Sequence, residues 1–192
     1  MLQILSIKTD IQKRGAYIGQ RQLLIDFASN ETEGRAYEPD EFLLAVNEES
    51  KHKGEVICLS GGEPLLQINN LLPVLAEMPL PVYLQTNASF PDRLAEVKPH
   101  VALFGLEYVP DFQKEFWDSL LLVKDDDVYV RWTVDKNTSL QDVDRLAKML
   151  GAARKNLPLI LEPVFGSKNY LPLQAIARKY LENVKVIPIM KV

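Results

Sequence analysis

Short runs of β-branched and aliphatic residues alternate along the chain with segments whose apolar residues recur at helical spacing. That alternation predicts parallel strands joined by crossover helices. An N-terminal strand is expected over Leu2–Lys8, then a turn at Lys13-Arg14-Gly15. The parallel set is expected to begin at Gln22–Phe27 and to continue at Glu55–Ser60, Val82–Gln85, Val101–Leu106, Val128–Val134 and Leu159–Leu161. A last strand is expected at Val184–Ile187. Pro39 stands where a helix can start, since its missing N–H costs nothing in the first turn. Phe42, Leu43 and Val46 then share one face of that helix. A second helix is expected from Glu63-Pro64 through Leu75, with Pro73 kinking or shortening it. Ser139 and Asp142 have the spacing of a capping pair, and Leu140, Val143, Leu146, Ala147 and Leu150 make an apolar face on the helix they start. Phe112, Phe116 and Trp117 read as a helix face, and a last helix is expected near Pro172–Leu181.

Six β/α units in one domain, 1–192, with short loops and right-handed crossovers, predict an α/β open barrel or twisted sheet. Ligands of such sheets bind at the carboxyl ends of the strands. The residues expected there are Ser60, Gly61, Gly62, Glu63 and Pro64 after one strand, and Gln85, Thr86 and Asn87 after the next. Glu107 and Tyr108, then Glu162 and Pro163, follow further on. Strand alternation points Arg131 and Thr133 to the inside and Trp132 to the helices.

Composition narrows the function. The 192 residues are 47% hydrophobic and carry a net charge of −4, and the longest basic run is Lys51-His52-Lys53. Nucleic-acid binding is therefore not expected. No apolar run reaches membrane-spanning length. The first residues lack a charged leader and a cleavage site, so the cytoplasm is the expected compartment. There is one cysteine, Cys58, which excludes an internal disulfide and reads as a small buried hydrophobe. His52 and His100 both precede strands, at the wrong end for a ligand site, and no metal-ligand spacing is present. Ser60 has neither a nucleophile-elbow sequence nor a histidine to serve it.

Leu59-Ser60-Gly61-Gly62-Glu63-Pro64-Leu65-Leu66-Gln67 resembles the Gly-Gly-Glu-Pro motif of radical S-adenosylmethionine enzymes, and it stands after the second parallel strand, as in that family. Gln85-Thr86-Asn87 and the ending Val184-Lys185-Val186-Ile187-Pro188 are similar to the 7-carboxy-7-deazaguanine synthase and radical-activating-enzyme branch. The resemblance implies a partial, open (β/α)6 barrel of the TIM type. It also implies that the Gly-Gly-Glu-Pro segment contacts the amino group of a methionine moiety.

Three departures qualify it. The family's Cys-x3-Cys-x2-Cys loop should fall at 28–38, which holds no cysteine, and carboxylates such as Glu31 and Glu33 are poor ligands for an iron–sulfur cube. The branch's Glu-Thr-Asn-Gly is here Gln85-Thr86-Asn87-Ala88. Its terminal Gln and His are replaced by Ile189-Met190-Lys191. No iron–sulfur cluster is expected, and reductive cleavage of S-adenosylmethionine is expected to be absent. The expected role is binding or regulation, with a small ligand at the mouth (S-adenosylmethionine or a purine-like molecule) or a partner protein. Two alternatives stand beside it: carboxylate acid–base catalysis by Glu63, Glu107 and Glu162, and a structural homodimer.

Overall fold

The chain opens on a long strand, β1 (Leu2–Ile11), which pairs antiparallel with β2 (Arg21–Phe27) and with the short β3 (Arg35–Tyr37). This computed structural model describes residues 1–30, 32–52, 54–164 and 170–188; Glu31, Lys53, residues 165–169 and the tail 189–192, with the expected Ile189-Met190-Lys191 ending, lie outside the described residues. After β3 come α1 (Pro39–Ser50), β4 (Ile57–Gly61), a 3-10 turn (Pro64–Gln67) and α2 (Ile68–Leu75). Then β5 (Val82–Thr86), α3 (Pro91–Val97), β6 (Leu103–Glu107), α4 (Gln113–Val123) and β7 (Val128–Val134) follow in turn. The chain closes on α5 (Leu140–Ala153), β8 (Leu159–Pro163), α6 (Leu171–Ala177) and β9 (Val184–Val186).

All nine strands form one sheet in the order β3-β1-β2-β4-β5-β6-β7-β8-β9. The strands from β2 and β4 to β9 run parallel in chain order, so the parallel set numbers seven, one more than expected. The last strand is the addition: it pairs with β8 through Leu159 and Val184. The sheet does not close, since β3 and β9 stand at its two ends.

The two faces of the sheet differ, and that difference positions the site. One face carries Leu23, Ile57, Leu84, Phe104, Val130 and Leu161, packed against apolar residues of the helices. In α5 these are Val143, Leu146, Ala147 and Leu150, all at most 3% exposed, whereas Leu140, expected on the same face, is 46% exposed in the first turn. Burying each of the larger ones is worth about 1.5–3 kcal/mol. The opposite parity carries Leu24, Cys58, Tyr83, Leu103, Tyr129 and Ile160, which pack instead on Ala16 and Tyr17 from the β1–β2 connection. Among the described residues, helices thus cover one face, and the hairpin loop with Val56 and Ile187 packs on the other. The Tyr83 and Tyr129 hydroxyls meet across β6, where Gly105 leaves them room. Side chains two strands apart touch in this way only if the sheet is strongly curved, with the hairpin on its concave side.

Helix starts follow local chemistry. Ser139 accepts from the Asp142 amide and Asp142 returns the bond, as the spacing predicts. Pro39 opens α1, with Glu38 and Glu41 forming its capping box. The helix expected from Glu63-Pro64 begins as a 3-10 turn, and α2 ends two residues past Pro73. Phe116 is fully buried, whereas Phe112 is 42% exposed and stands outside that packed face.

Candidate functional site

Polar side chains stand one layer above the buried tyrosines, toward the carboxyl ends of the parallel strands. Asp26, Ser60, Gln85, Glu107, Arg131 and Glu162 share the parity of the concave face. Trp132 faces the helices, packed edge-on to Tyr108, as alternation predicts. The layer below is filled by Tyr83, Tyr129 and Tyr17, whose rings pack on one another. Burial pushes Tyr129 up to about 12 and Tyr83 well above the phenol's ordinary value, so both are neutral phenols.

The charged groups form a chain of alternating sign. Arg131 Nη2 donates to Glu107 Oε2 at 2.7 Å, and Arg131 Nη1 donates to Gln85 Oε1 at 3.3 Å. Burial works against the Arg131 charge, and the acidic groups around it, Glu107 foremost, together outweigh that penalty, so its pKa is raised. Thr133 Oγ1 donates to Glu107 Oε1 at 3.1 Å. Arg14 Nη2 lies 3.8 Å from that same oxygen and donates to Glu162 Oε2 at 2.7 Å. Arg14 Nε adds a second bond to Glu162 Oε2, and the Gly15 amide donates to Glu162 Oε1 at 2.7 Å. Glu162 is 1% exposed, so these donors replace its water. Glu107 and Glu162 therefore meet on Arg14. Glu63 takes no part in that meeting.

Glu63 is committed to its own neighbourhood. Its Oε1 accepts from the Leu65 amide at 3.1 Å and from Thr86 Oγ1 at 2.8 Å, and its Oε2 accepts from the Asn87 amide at 2.8 Å. Burial raises its pKa, opposed by the bonds from Asn87 and Thr86. It fastens the start of the 3-10 turn to the end of β5. Ala88, next in line, takes φ +58°, a region glycine occupies without strain.

The two glycines have a packing explanation. Gly61 has φ +94°, and a Cβ there would sit 2.6 Å from the Phe27 carbonyl oxygen. A Cβ on Gly62 would sit 2.6 Å from the Ala28 oxygen, and its amide donates to the Phe27 oxygen at 2.7 Å. Side chains would push β4 off β2. Ser60 donates to Asp26 Oδ1 at 2.9 Å, and Pro64 is buried at the first position of the turn.

Of the ten expected site residues, Gly61, Gly62, Glu63, Gln85, Thr86, Asn87 and Arg131 line one pocket of about 290 Å³, together with Glu107. Ser60 lines an adjoining lobe of about 240 Å³ that shares Gly61, Gln85 and Arg131 with the first. Glu162 is reached through Arg14, and Pro64 is packed beneath the turn. Sequence reasoning missed Arg14 and Gly15, which it read as a plain turn. Glycine beside an arginine between two strands was the available signal; the inward fold of the loop was not. A larger pocket of about 570 Å³ lies elsewhere, between Met1, Asn30 and Asn70, and among the described residues no ionisable side chain lines it.

An iron–sulfur cube does not fit this donor set. Cys58 is the one cysteine of the chain, fully buried in mid-strand beneath Gln12, and burial pushes its thiol up to about 12. A cube bound by protein needs several thiolates. Among the described residues no group of three or more His, Cys, Asp or Glu side chains is placed to hold a metal ion. Among them, too, no helix is long and apolar enough to cross a membrane.

Comparison with curated proteins gives 33% identity over 150 residues to the 7-carboxy-7-deazaguanine synthase of Geobacter sulfurreducens, taking in 69% of this chain and 60% of that one. The chain is similar to that synthase. The similarity supports kinship with the radical S-adenosylmethionine superfamily, although the chain spans less than two thirds of the synthase's length. No family model matches it. Among solved structures, type I 3-dehydroquinate dehydratase from Clostridium difficile aligns with a TM-score of 0.48 and 11% identity over 78% of this chain and 70% of that one. A tryptophan synthase α-subunit variant from Pyrococcus furiosus gives 0.41 and 19% over 79% and 74%. Scores this low carry no argument about function or kinship.

Proposed function

We propose that this chain is a radical S-adenosylmethionine relative that binds a small ligand at its strand mouth and generates no radical. The observation that carries the reading is the sole cysteine, sealed in mid-strand, beside a polar pocket of about 290 Å³ at the strand ends that has no thiol in its lining. Without a cluster there is no electron to break a carbon–sulfur bond and no iron for an amino acid moiety to chelate. What remains is recognition. Glu107 and Arg131 offer a carboxylate and a guanidinium side by side, and Gln85 and Asn87 add amides. That mixture suits a ligand with both donors and acceptors, and S-adenosylmethionine and purine-like molecules both have this character. The adjoining lobe extends the space past Gly61 and Arg131.

The alternative of acid–base catalysis by converging carboxylates loses support, because Glu63 is tied to Thr86 and Asn87 while Glu107 and Glu162 are neutralised by arginines. Isothermal calorimetry with S-adenosylmethionine and with guanosine tests the reading. Saturable heat with either, weakened in Arg131→Ala, is expected. No heat from either at millimolar ligand removes it.

A further inference from the structure

We propose that the lobe between the β1–β2 hairpin and β7 is a site for a small anion, a phosphate or a carboxylate group. Four cationic side chains line it: Lys8 from β1, Lys13 and Arg14 from the hairpin, and Arg131 from β7. The acidic side chain among its lining residues is Asp26, whose two oxygens already accept from the Ser6 and Ser60 hydroxyls at 2.9 Å.

The carboxylates that balance those cations stand behind them. Lys8 and Lys13 lie 3.1 and 3.5 Å from one and the same oxygen of Asp10, which is not in the lining. Two ammonium groups sharing one carboxylate oxygen leave positive charge unmatched on the side that faces the lobe. Glu107 and Glu162 hold the arginines from the other side. Arg131 supplies an independent sign: its side chain is 8% exposed, and its Nε, buried, has no hydrogen-bond partner. A concave lobe lined mainly by one sign of charge concentrates counter-ions, and charge-assisted bonds to phosphate or carboxylate oxygens are the strong ones.

This inference goes beyond the ligand of the mouth and does not need it. Inorganic phosphate and acetate are titrated into the full chain separately, against chloride at equal ionic strength, by calorimetry. The same titrations are run on Lys8→Gln/Lys13→Gln, whose changes are on partly exposed side chains that leave the core intact. Saturable binding is expected in the native chain and about tenfold weaker binding in the double variant, the size expected of two partly exposed charge contacts. Tighter binding of phosphate marks a phosphoryl ligand, and tighter binding of acetate marks a carboxylate. Equal affinity in both proteins, an effect matched by chloride, or no binding at all overturns the proposal. None of those outcomes touches the S-adenosylmethionine reading, which the nucleoside and S-adenosylmethionine titrations decide.

Discussion

Arg14 and Glu162, 148 positions apart in sequence, are joined by two hydrogen bonds that fasten the β1–β2 hairpin over the concave face of the sheet. Glu162 is almost wholly buried while the Arg14 side chain is one-third exposed, so the pair is asymmetric. Removing the arginine strands a carboxylate in a dry place. Removing the carboxylate returns the arginine toward water.

Arg14→Ala is therefore expected to cost about 3 kcal/mol in urea unfolding, toward the low end for a broken buried pair because the Gly15 amide still serves Glu162. Glu162→Gln is expected to cost less. The double variant should recover about 1 kcal/mol or more of the summed loss, the signature of direct coupling. Strict additivity would contradict the contact.

The glycines of the Gly-Gly-Glu-Pro segment provide a second check. Gly61→Ala must carry a side chain at φ +94° and push against the Phe27 carbonyl oxygen. A loss of about 3 kcal/mol is expected in the ligand-free chain, combining backbone strain with overlap. If Gly61→Ala folds with native stability and loses only ligand binding, the packing explanation is wrong.

The parity of the strands and the capping of α5 were legible in the chain: Arg131 inward, Trp132 outward and Ser139 capping all follow from period two and from side-chain chemistry. Most of the mouth was legible too, since parallel strands deliver their carboxyl ends to one place. The hairpin was not. Gly15 signals a turn, but nothing local says that the loop folds inward onto Tyr129 and delivers Arg14 to Glu162. That destination depends on a pairing across nearly the whole chain. Strand β3 and helix α3 were not among the expected elements: β3 is three residues inside a polar loop, and α3 buries only Leu94 and Val97.

Glu63 predicts a pH dependence with a definite sign. Its folded pKa lies above the ordinary 4.5 because it is buried. A carboxyl of this kind binds its proton more tightly in the folded state. The stability it lends is full below its unfolded value and is lost as pH rises through the folded one. Glu63→Gln lacks that contribution, so its cost relative to the native chain should be largest near about pH 4 and shrink toward about pH 7. A cost that grows over that window would contradict the burial of the carboxyl.

Cys58 should be silent toward thiol reagents. A thiol pushed up to about 12 and screened by Gln12 offers almost no thiolate near about pH 8. Disulfide-exchange reagent is expected to label no thiol in the native protein and one after denaturation. Rapid labelling of the folded chain would place Cys58 at an accessible surface.

Anaerobic reconstitution with iron and sulfide, followed by incubation with S-adenosylmethionine and reductant, tests the central claim most directly. The protein should remain colourless, carry no stoichiometric iron and release no 5′-deoxyadenosine. A brown protein with about four irons per chain that cleaves S-adenosylmethionine would contradict the account.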